Sequence, residues 1–291
     1  MRISGFTFIR NGVTLGYPFV PSIRSLLPLC DEVVVNVPRS TDETLAQVRA
    51  IGDPKIRILE TEWDEAQRTA GLALSHHTNL ALEQCTGNWR VYIQGDEVLH
   101  EDSIPAMRVA MERELGHPEV QGLLADYTHF YGSYRTQVYS FGWYYREVRV
   151  VRRDPDIRSY GDAQGFRTRA GEKLHVRPSG GRYFHYGFAL KPDVARRKHA
   201  NLAALYSGEE GLRRNAGRPP RYYDDDQKVR LFAGTHPATM REAAAAADWT
   251  YTSRNPLIRF RREYFWEDVA LILQRCTGLT VGVHKNYRLL P

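Results

Sequence analysis

Over its first hundred residues the chain alternates β-like and helix-like stretches separated by turn residues. This alternation constrains the fold more than any other feature, because it is the pattern of a parallel sheet covered by helices. Ile3 to Ile9 reads as a first strand, broken by Asn11-Gly12. Pro18 to Leu29 has helical spacing, with Pro18 near the start, where its missing N–H costs nothing. Glu32 to Val37 is a β-branched run of buried-strand type, and Ser40-Thr41-Asp42 reads as a cap ahead of a helix over Glu43 to Ile51. Lys55 to Leu59 is a third strand, Asp64 to Gln84 a long helix interrupted by Gly71, and Asn88 to Ile93 a fourth strand. Gln94-Gly95-Asp96-Glu97 falls at the carboxyl end of that strand, which is where open α/β sheets bind ligands.

After a helix from about Ser103 to Leu115 the chain turns aromatic and strand-rich, from Val120 to Val151 and again from His175 to Phe188. That pattern predicts a mixed sheet with hairpins. Lys191 to Tyr206 reads as a helix, Gly208 to Arg221 as an exposed loop, Asp224 to Trp249 as irregular structure with an alanine-rich helix, and Trp266 to Cys276 as a last helix. With 291 residues, 42% hydrophobic and 25% charged, the chain is long enough for one large α/β unit or two domains, and its composition excludes collagen-like and mainly disordered classes. Lys and Arg exceed Asp and Glu by 40 to 34, a net charge of +6, which suits an anionic partner without selecting one. Cys30, Cys85 and Cys276 are widely spaced with no C-x-x-C pair, so neither a disulfide framework nor a thiolate zinc site is expected. The N-terminus reads as a strand rather than a leader, and no apolar run reaches the roughly 18 residues of a membrane span. A cytoplasmic protein is expected, with peripheral membrane contact left open.

Several residues have the chemistry of a site, and each has a plainer reading beside it. Asp96 and Glu97 offer oxygen ligands to Mg²⁺ or Mn²⁺, or form a solvated turn. Asp42 caps a helix or reaches a ligand; Arg10 and Asn11 contact a nucleotide, or Asn11 makes the turn. His185, closing an aromatic strand, completes a metal or phosphate site or is a bonded core histidine. Asp162, set in SYGDAQGFR among glycines, is accessible as a base or makes an Asx-turn. Trp63-Asp64 joins a flat ring to a carboxylate and suits a base or ribose, and Asp64 equally suits a helix cap. The chain lacks the phosphate loop of P-loop NTPases, the dinucleotide fingerprint, the G-x-S-x-G elbow and H-E-x-x-H. Arg259, Arg261 and Arg262 beside Tyr264, Phe265 and Trp266 read better as a solvated face on an aromatic cluster than as a nucleic-acid surface, so no nucleic-acid partner is expected.

In order along residues 1 to 105, Phe8 with Asn11, Ser40-Thr41-Asp42-Glu43-Thr44, Trp63-Asp64, Asn79, and Asn88-Trp89 leading to Gln94-Gly95-Asp96-Glu97 resemble the motifs of family-2 glycosyltransferases of the GT-A fold, in the bacterial surface-glycan branch. His185-Tyr186-Gly187 has a counterpart there as well. The resemblance implies an α/β fold with a Rossmann-like mixed sheet flanked by helices and a C-terminal helical or irregular extension. It divides the chain into a nucleotide-sugar half (1–105), an acceptor half (106–210) and an extension packed on the domain (211–291).

Carried over residue by residue, it places Phe8, Arg10, Asn11, Asn36, Asp42, Trp63, Asp64, Asn79 and Gln94 with the donor and Asp96 and His185 at a divalent metal. It implies a nucleotide-diphosphate sugar as donor and a glycan or glycoconjugate as acceptor. Two places depart from the family pattern: Gln94 stands where the first Asp of D-x-D belongs, which implies weaker metal binding or none, and Val37 or Asn36 stands where many relatives have Asp after the second strand. A leaving diphosphate gains negative charge that a cation stabilises, and the acceptor hydroxyl needs a carboxylate to take its proton while it attacks from the opposite face, with inversion. Asp162 is the first choice for that base, with Glu97 and Asp126 behind it. The alternative expectation is a nucleotide-sugar-binding or scaffold protein of the same fold without turnover, motivated by Gln94.

Overall fold

The computed structural model describes residues 1–63, 71–139, 143–198, 227–252, 265–277 and 285–291. Asp64, the second half of the 191–206 helix, the 208–221 loop and the Arg259–Arg262 run therefore lie outside the described residues. The first half is a run of β–α units: β1 (Ile3–Phe8), α1 (Phe19–Leu26), β2 (Glu32–Pro38), α2 (Thr44–Arg49), β3 (Ile56–Thr61), α3 (Leu72–Glu83) and β4 (Trp89–Tyr92). Then come β5 (Glu97–Leu99), α4 (Ile104–Glu114), β6 (Gly122–Tyr131), β7 (Thr136–Val138), β8 (Arg146–Arg152), β9 (Ile157–Ser159), β10 (Phe166–Thr168) and β11 (His175–Phe188). A helical stretch, α5, covers 192–198 and ends next to residues outside the described set. Last are β12 (Val229–Leu231), α6 (Arg241–Ala245), α7 (Phe265–Thr277) and β13 (Arg288–Leu289).

The sheet is mixed and flanked by helices, as the sequence predicts. Strands β3, β2, β1 and β4 run parallel in that order; β8 then pairs antiparallel with β4, β6 antiparallel with β8, and β11 parallel with β6. Because side chains alternate across a strand, β2 feeds two cores: Val33, Val35 and Val37 pack on one face with Phe19, Ile23 and Leu26 of α1, while Val34 packs on the other with Phe6, Ala81 and Leu82. Burial on both faces is what the continuous apolar run requires. The long helix expected from Asp64 starts, among the described residues, only at Leu72, where Gly71 caps it in the left-handed conformation at φ 75°.

Register decides which residues meet at the carboxyl edge. Phe8 of β1 lies opposite Asn36 of β2, and Phe6 opposite Tyr92 of β4. The long β11 touches two strands at once, so His185 stands opposite Glu97 of β5 on one side and His129 of β6 on the other.

The opposite edge carries a buried carboxylate. Glu32 accepts hydrogen bonds from Ser4 Oγ (2.6 Å), Thr86 N (2.8 Å) and Thr86 Oγ1 (2.7 Å), and pairs with Arg57 at 3.1 Å. Burial alone would raise its pKa, but the donors from Ser4, Thr86 and Arg57 outweigh it and pull the value from 4.5 down to about 2. A depressed carboxylate stabilises the fold above its unfolded pKa and loses that contribution as pH falls toward the folded one. The urea midpoint should therefore drop between pH 4.5 and 2, and Glu32→Gln should lower it at pH 7 while flattening that acid limb; an unchanged limb in the variant would refute the assignment.

Candidate active site

At the carboxyl edge of β1 and β4 opens a cavity of about 540 Å³, within the range of small-molecule sites. It gathers residues that the sequence singles out from widely separated segments: Phe8 at the end of β1 with Arg10 and Asn11 just beyond it, Trp63 after β3, Gln94 and Asp96 after β4, Asp162 after β9, and His185 near the end of β11. Tyr17, Trp143, Tyr144, Phe188 and Lys198, none of them anticipated, complete the wall. Trp63 does not wait with an open face: its indole stacks on His77 at 4.8 Å and carries the Arg10 guanidinium at 4.4 Å. Burial, then His76 and Arg10, lower the His77 pKa to about 4, so the ring beneath Trp63 is neutral at pH 7.

A buried ion pair sets the turn that bears Asp96. Glu97 and Arg149 are both fully buried and bond at 2.9 and 3.2 Å, with Tyr127 Oη donating to the same carboxylate at 2.7 Å. The second Glu97 oxygen accepts the Gln94 N–H (3.0 Å), closing the turn, while Arg149 donates to the Gln164 carbonyl (2.8 Å) in the loop bearing Asp162. Gln94 Nε2 reaches the Ala163 carbonyl at 3.2 Å, and Ala163 itself sits at φ 62°, a left-handed conformation rare outside glycine. Asp162 makes the expected Asx-turn, accepting Gln164 N–H at 3.3 Å, and still lines the cavity. The Asx-turn and a position on the cavity wall coincide there.

Asp96 is held by Lys198, with His185 beside it. Lys198 Nζ lies 2.7 Å from Asp96 Oδ2 and donates also to the Gly187 carbonyl at 2.9 Å; His185 Nε2 is 3.6 Å from the same carboxylate oxygen. Burial works to raise the Asp96 pKa, and Lys198 with His185 override it, holding the carboxyl far below the usual carboxylate range. A β-carbon on Gly187 would fall 2.4 Å from Asp96 Oδ2 and 2.6 Å from His185 Nε2, so only glycine leaves this meeting point open. Proton placement follows from a carbonyl. His129 Nε2 can only donate to Tyr144 O at 2.6 Å, and burial, then His185, keep that ring neutral, so its Nδ1 accepts and His185 Nδ1 donates across 2.9 Å. His185 therefore presents Nε2 to the cavity.

This donor set does not fit a divalent ion as it stands. Gln94 supplies no charge, and the one carboxylate is already paired with an ammonium. An ion about 2.1 Å from Asp96 Oδ2 would stand at most about 5 Å from Lys198 Nζ, so the ion and the ammonium would compete for a single carboxylate. Among the described residues one further group of ligand atoms converges, on His100, Glu101 and Asp102. Glu101 is paired with Arg241 (2.6 Å) and Asp102 with Arg182 (3.4 Å), and none of the three lines the cavity.

The remaining sequence candidates stand elsewhere. Ser40, Thr41, Asp42 and Thr44 staple the loop after β1: Asn11 N–H donates to Ser40 Oγ (3.1 Å), Thr41 N–H to Asn11 Oδ1 (2.8 Å), Thr14 N–H to Asp42 (2.8 Å) and Gly12 N–H to Thr44 Oγ1 (2.8 Å). Asp42 thus shapes the rim instead of lining the cavity, and the helix cap position falls to Glu43. Asn36 is buried, donating to the His77 carbonyl (2.9 Å) and accepting from Thr61 (2.8 Å), which supports the His77–Trp63 stack from behind. Asn79 clamps β9 through both bonds to the Ser159 backbone, each 2.9 Å. Glu97, locked on Arg149, has no access to a substrate, and Asp126 pairs with Arg146 (2.6 Å) away from the cavity, so neither reserve carboxylate is placed to act as base.

No family model matches this chain, and no curated protein matches it. Among solved structures it is similar to residues 1–349 of TarS from S. aureus, at 14% identity over 77% of this chain and 74% of that one, with a TM-score of 0.41. The same TarS fragment in complex with UDP aligns at 14% over 75% and 71%, TM-score 0.43. Glucosyl-3-phosphoglycerate synthase from Mycobacterium tuberculosis, with Mn²⁺, UDP and glucosyl-3-phosphoglycerate, aligns at 22% over 44% of each chain, TM-score 0.29. Likeness at this level fixes neither a family nor the role of any residue.

The buried pair gives a direct test of how the site is held. Removing one partner of such a pair costs about 3–5 kcal/mol because the other charge is left uncompensated, whereas replacing both by apolar groups of similar volume is far milder. Glu97→Gln should lower the urea-unfolding free energy by about that amount, and Glu97→Leu with Arg149→Met should recover much of it. Equal stability of Glu97→Gln and wild type would contradict the role given to the pair.

Proposed function

We propose that the protein is a glycosyltransferase of family-2 type with a GT-A fold, moving a sugar from a nucleotide-diphosphate donor to a hydroxyl of a glycan or glycoconjugate, with inversion. The observation that carries this reading is the convergence in one cavity of residues drawn from five separated segments, in the chemical order the reaction needs. An aromatic and cationic wall of Phe8, Arg10 and Trp63 suits the nucleotide. A cationic centre around Asp96 suits the diphosphate, and the Asp162 carboxylate stands on the loop opposite, contributed by the second half of the chain.

In the step proposed, the acceptor oxygen attacks the anomeric carbon from the face opposite the diphosphate. The carbon–oxygen bond to phosphate breaks with its electron pair passing to the diphosphate, and the hydroxyl proton passes to the Asp162 carboxylate. The divalent ion implied by the sequence resemblance is given no step, since the one carboxylate that would hold it, Asp96, is already paired with Lys198. No described helix is long and apolar enough to cross a membrane. We place the chain at the inner face of the membrane or in the cytoplasm, where nucleotide sugars and lipid-linked acceptors meet.

A thermal-shift screen with UDP, GDP, CDP and dTDP tests the donor half, because a ligand that binds only the folded state raises the melting temperature. One of the four should stabilise the protein, and binding with neither donor hydrolysis nor transfer would leave a nucleotide-sugar-binding protein. Losing a general base costs about 10²- to 10⁴-fold in rate, so Asp162→Asn should bind donor as wild type does and transfer sugar slower by that factor. Wild-type turnover in Asp162→Asn would remove it from the mechanism.

A further inference from the structure

We propose that Lys198 takes the place of the divalent cation: its ammonium, fixed beside Asp96, meets the leaving diphosphate, so that donor binding and transfer need no metal. The proposal rests on the glycosyltransferase reading and deepens it by naming the group that receives the charge.

Three observations point to it. First, Lys198 is 3% exposed, yet it lines the cavity. A buried lysine normally sheds its charge or finds a partner, and this one has Asp96 at 2.7 Å and the Gly187 carbonyl at 2.9 Å. Two of three N–H bonds are thus accounted for among the described residues, which leaves one for a phosphate oxygen. Second, the ammonium is seated over aromatic faces, 4.5 Å from the Tyr17 ring centroid and 5.6 Å from that of Phe188, which fixes the position of the cation before any ligand arrives. Third, the two features that depart from a metal site sit together. Gln94, where a second carboxylate would be needed, spends its amide on the Ala163 carbonyl, and the single carboxylate left, Asp96, balances one charge and not two.

A preorganised cation aimed at developing charge stabilises the transition state without reorganisation. As the anomeric C–O bond breaks, its electron pair settles on the diphosphate oxygen, and the Lys198 ammonium stabilises that charge while keeping its proton. Asp96 is then a positioning residue: it holds Lys198 Nζ in place at 2.7 Å. His185, whose Nδ1 proton is committed to His129, flanks the same carboxylate with Nε2.

The test is isothermal calorimetry on the full chain with UDP, GDP, CDP and dTDP, in buffer with EDTA and in buffer with Mn²⁺, followed by the matching nucleoside. Wild type should bind its diphosphate with the same affinity in both buffers. Lys198→Met should weaken the diphosphate about tenfold to a hundredfold in EDTA, as expected for one lost charged contact, with nucleoside affinity unchanged and Lys198→Arg recovering part of the loss. In Lys198→Met, Asp96 and His185 Nε2 become available together, so Mn²⁺ should restore part of the diphosphate affinity. Binding by wild type that vanishes in EDTA and returns with Mn²⁺ would overturn the proposal and leave the glycosyltransferase reading intact; so would Lys198→Met binding the diphosphate as wild type does. If wild type binds none of the four in either buffer, both readings fall. The wild-type arm needs no variant, so a Lys198→Met protein that does not fold leaves the proposal exposed to refutation.

Discussion

The site depends on the buried pair between Glu97 and Arg149. Glu97 closes the Gln94–Glu97 turn from inside, and Arg149 carries the same restraint to the Gln164 carbonyl, so the turn with Asp96 and the loop with Asp162 share one anchor. The pair is expensive to bury and is compensated on every side: Tyr127 donates to the carboxylate, and the guanidinium lies over the Tyr92 and Tyr127 rings at 5.3 and 5.1 Å. One consequence is geometric. Donor-side and acceptor-side groups come from distant parts of the chain, and a common rigid anchor is what holds them at a constant separation.

Around that anchor the charges are arranged by strand register. β11 lies between β5 and β6, which brings His185 to Glu97's level on one side and to His129 on the other; the Tyr144 carbonyl then dictates which nitrogen of each ring carries the proton. Gly187, two residues on, leaves room for Asp96, His185 and Lys198 to meet. A residue of any other kind there would separate the cation from its carboxylate.

The rim is built by a different device. The Ser40-Thr41-Asp42 segment, which in sequence looks equally like a cap or a ligand contact, binds the backbone of the loop after β1, and that loop presents Arg10 and Asn11. Asn36 and Asn79 similarly act behind the cavity wall. Polar residues at strand ends are thus divided between those that touch the cavity and those that shape it, and the division turns on which backbone N–H groups nearby need an acceptor.

Local pattern determined a good deal of this protein. The β-branched run of β2, the amphipathic spacing of α1 and the turn residues between them specify elements whose apolar faces must be covered, so the helix-flanked mixed sheet is readable from the chain alone. The carboxyl-edge position of Asp96 and the glycine-flanked accessibility of Asp162 are readable too. Pairing between distant elements is not. Nothing in the sequence distinguishes Lys198 from Arg196 and Arg197 beside it, or Arg149 from the other basic residues of its strand, because their special character is desolvation and a partner some 50 to 100 positions away. In sequence Glu97 and Asp126 rank behind Asp162 as candidate bases but stay open. Burial against Arg149 and surface pairing with Arg146 separate them, since a carboxylate's chemistry is set by what surrounds it, and that is decided only when the chain has folded.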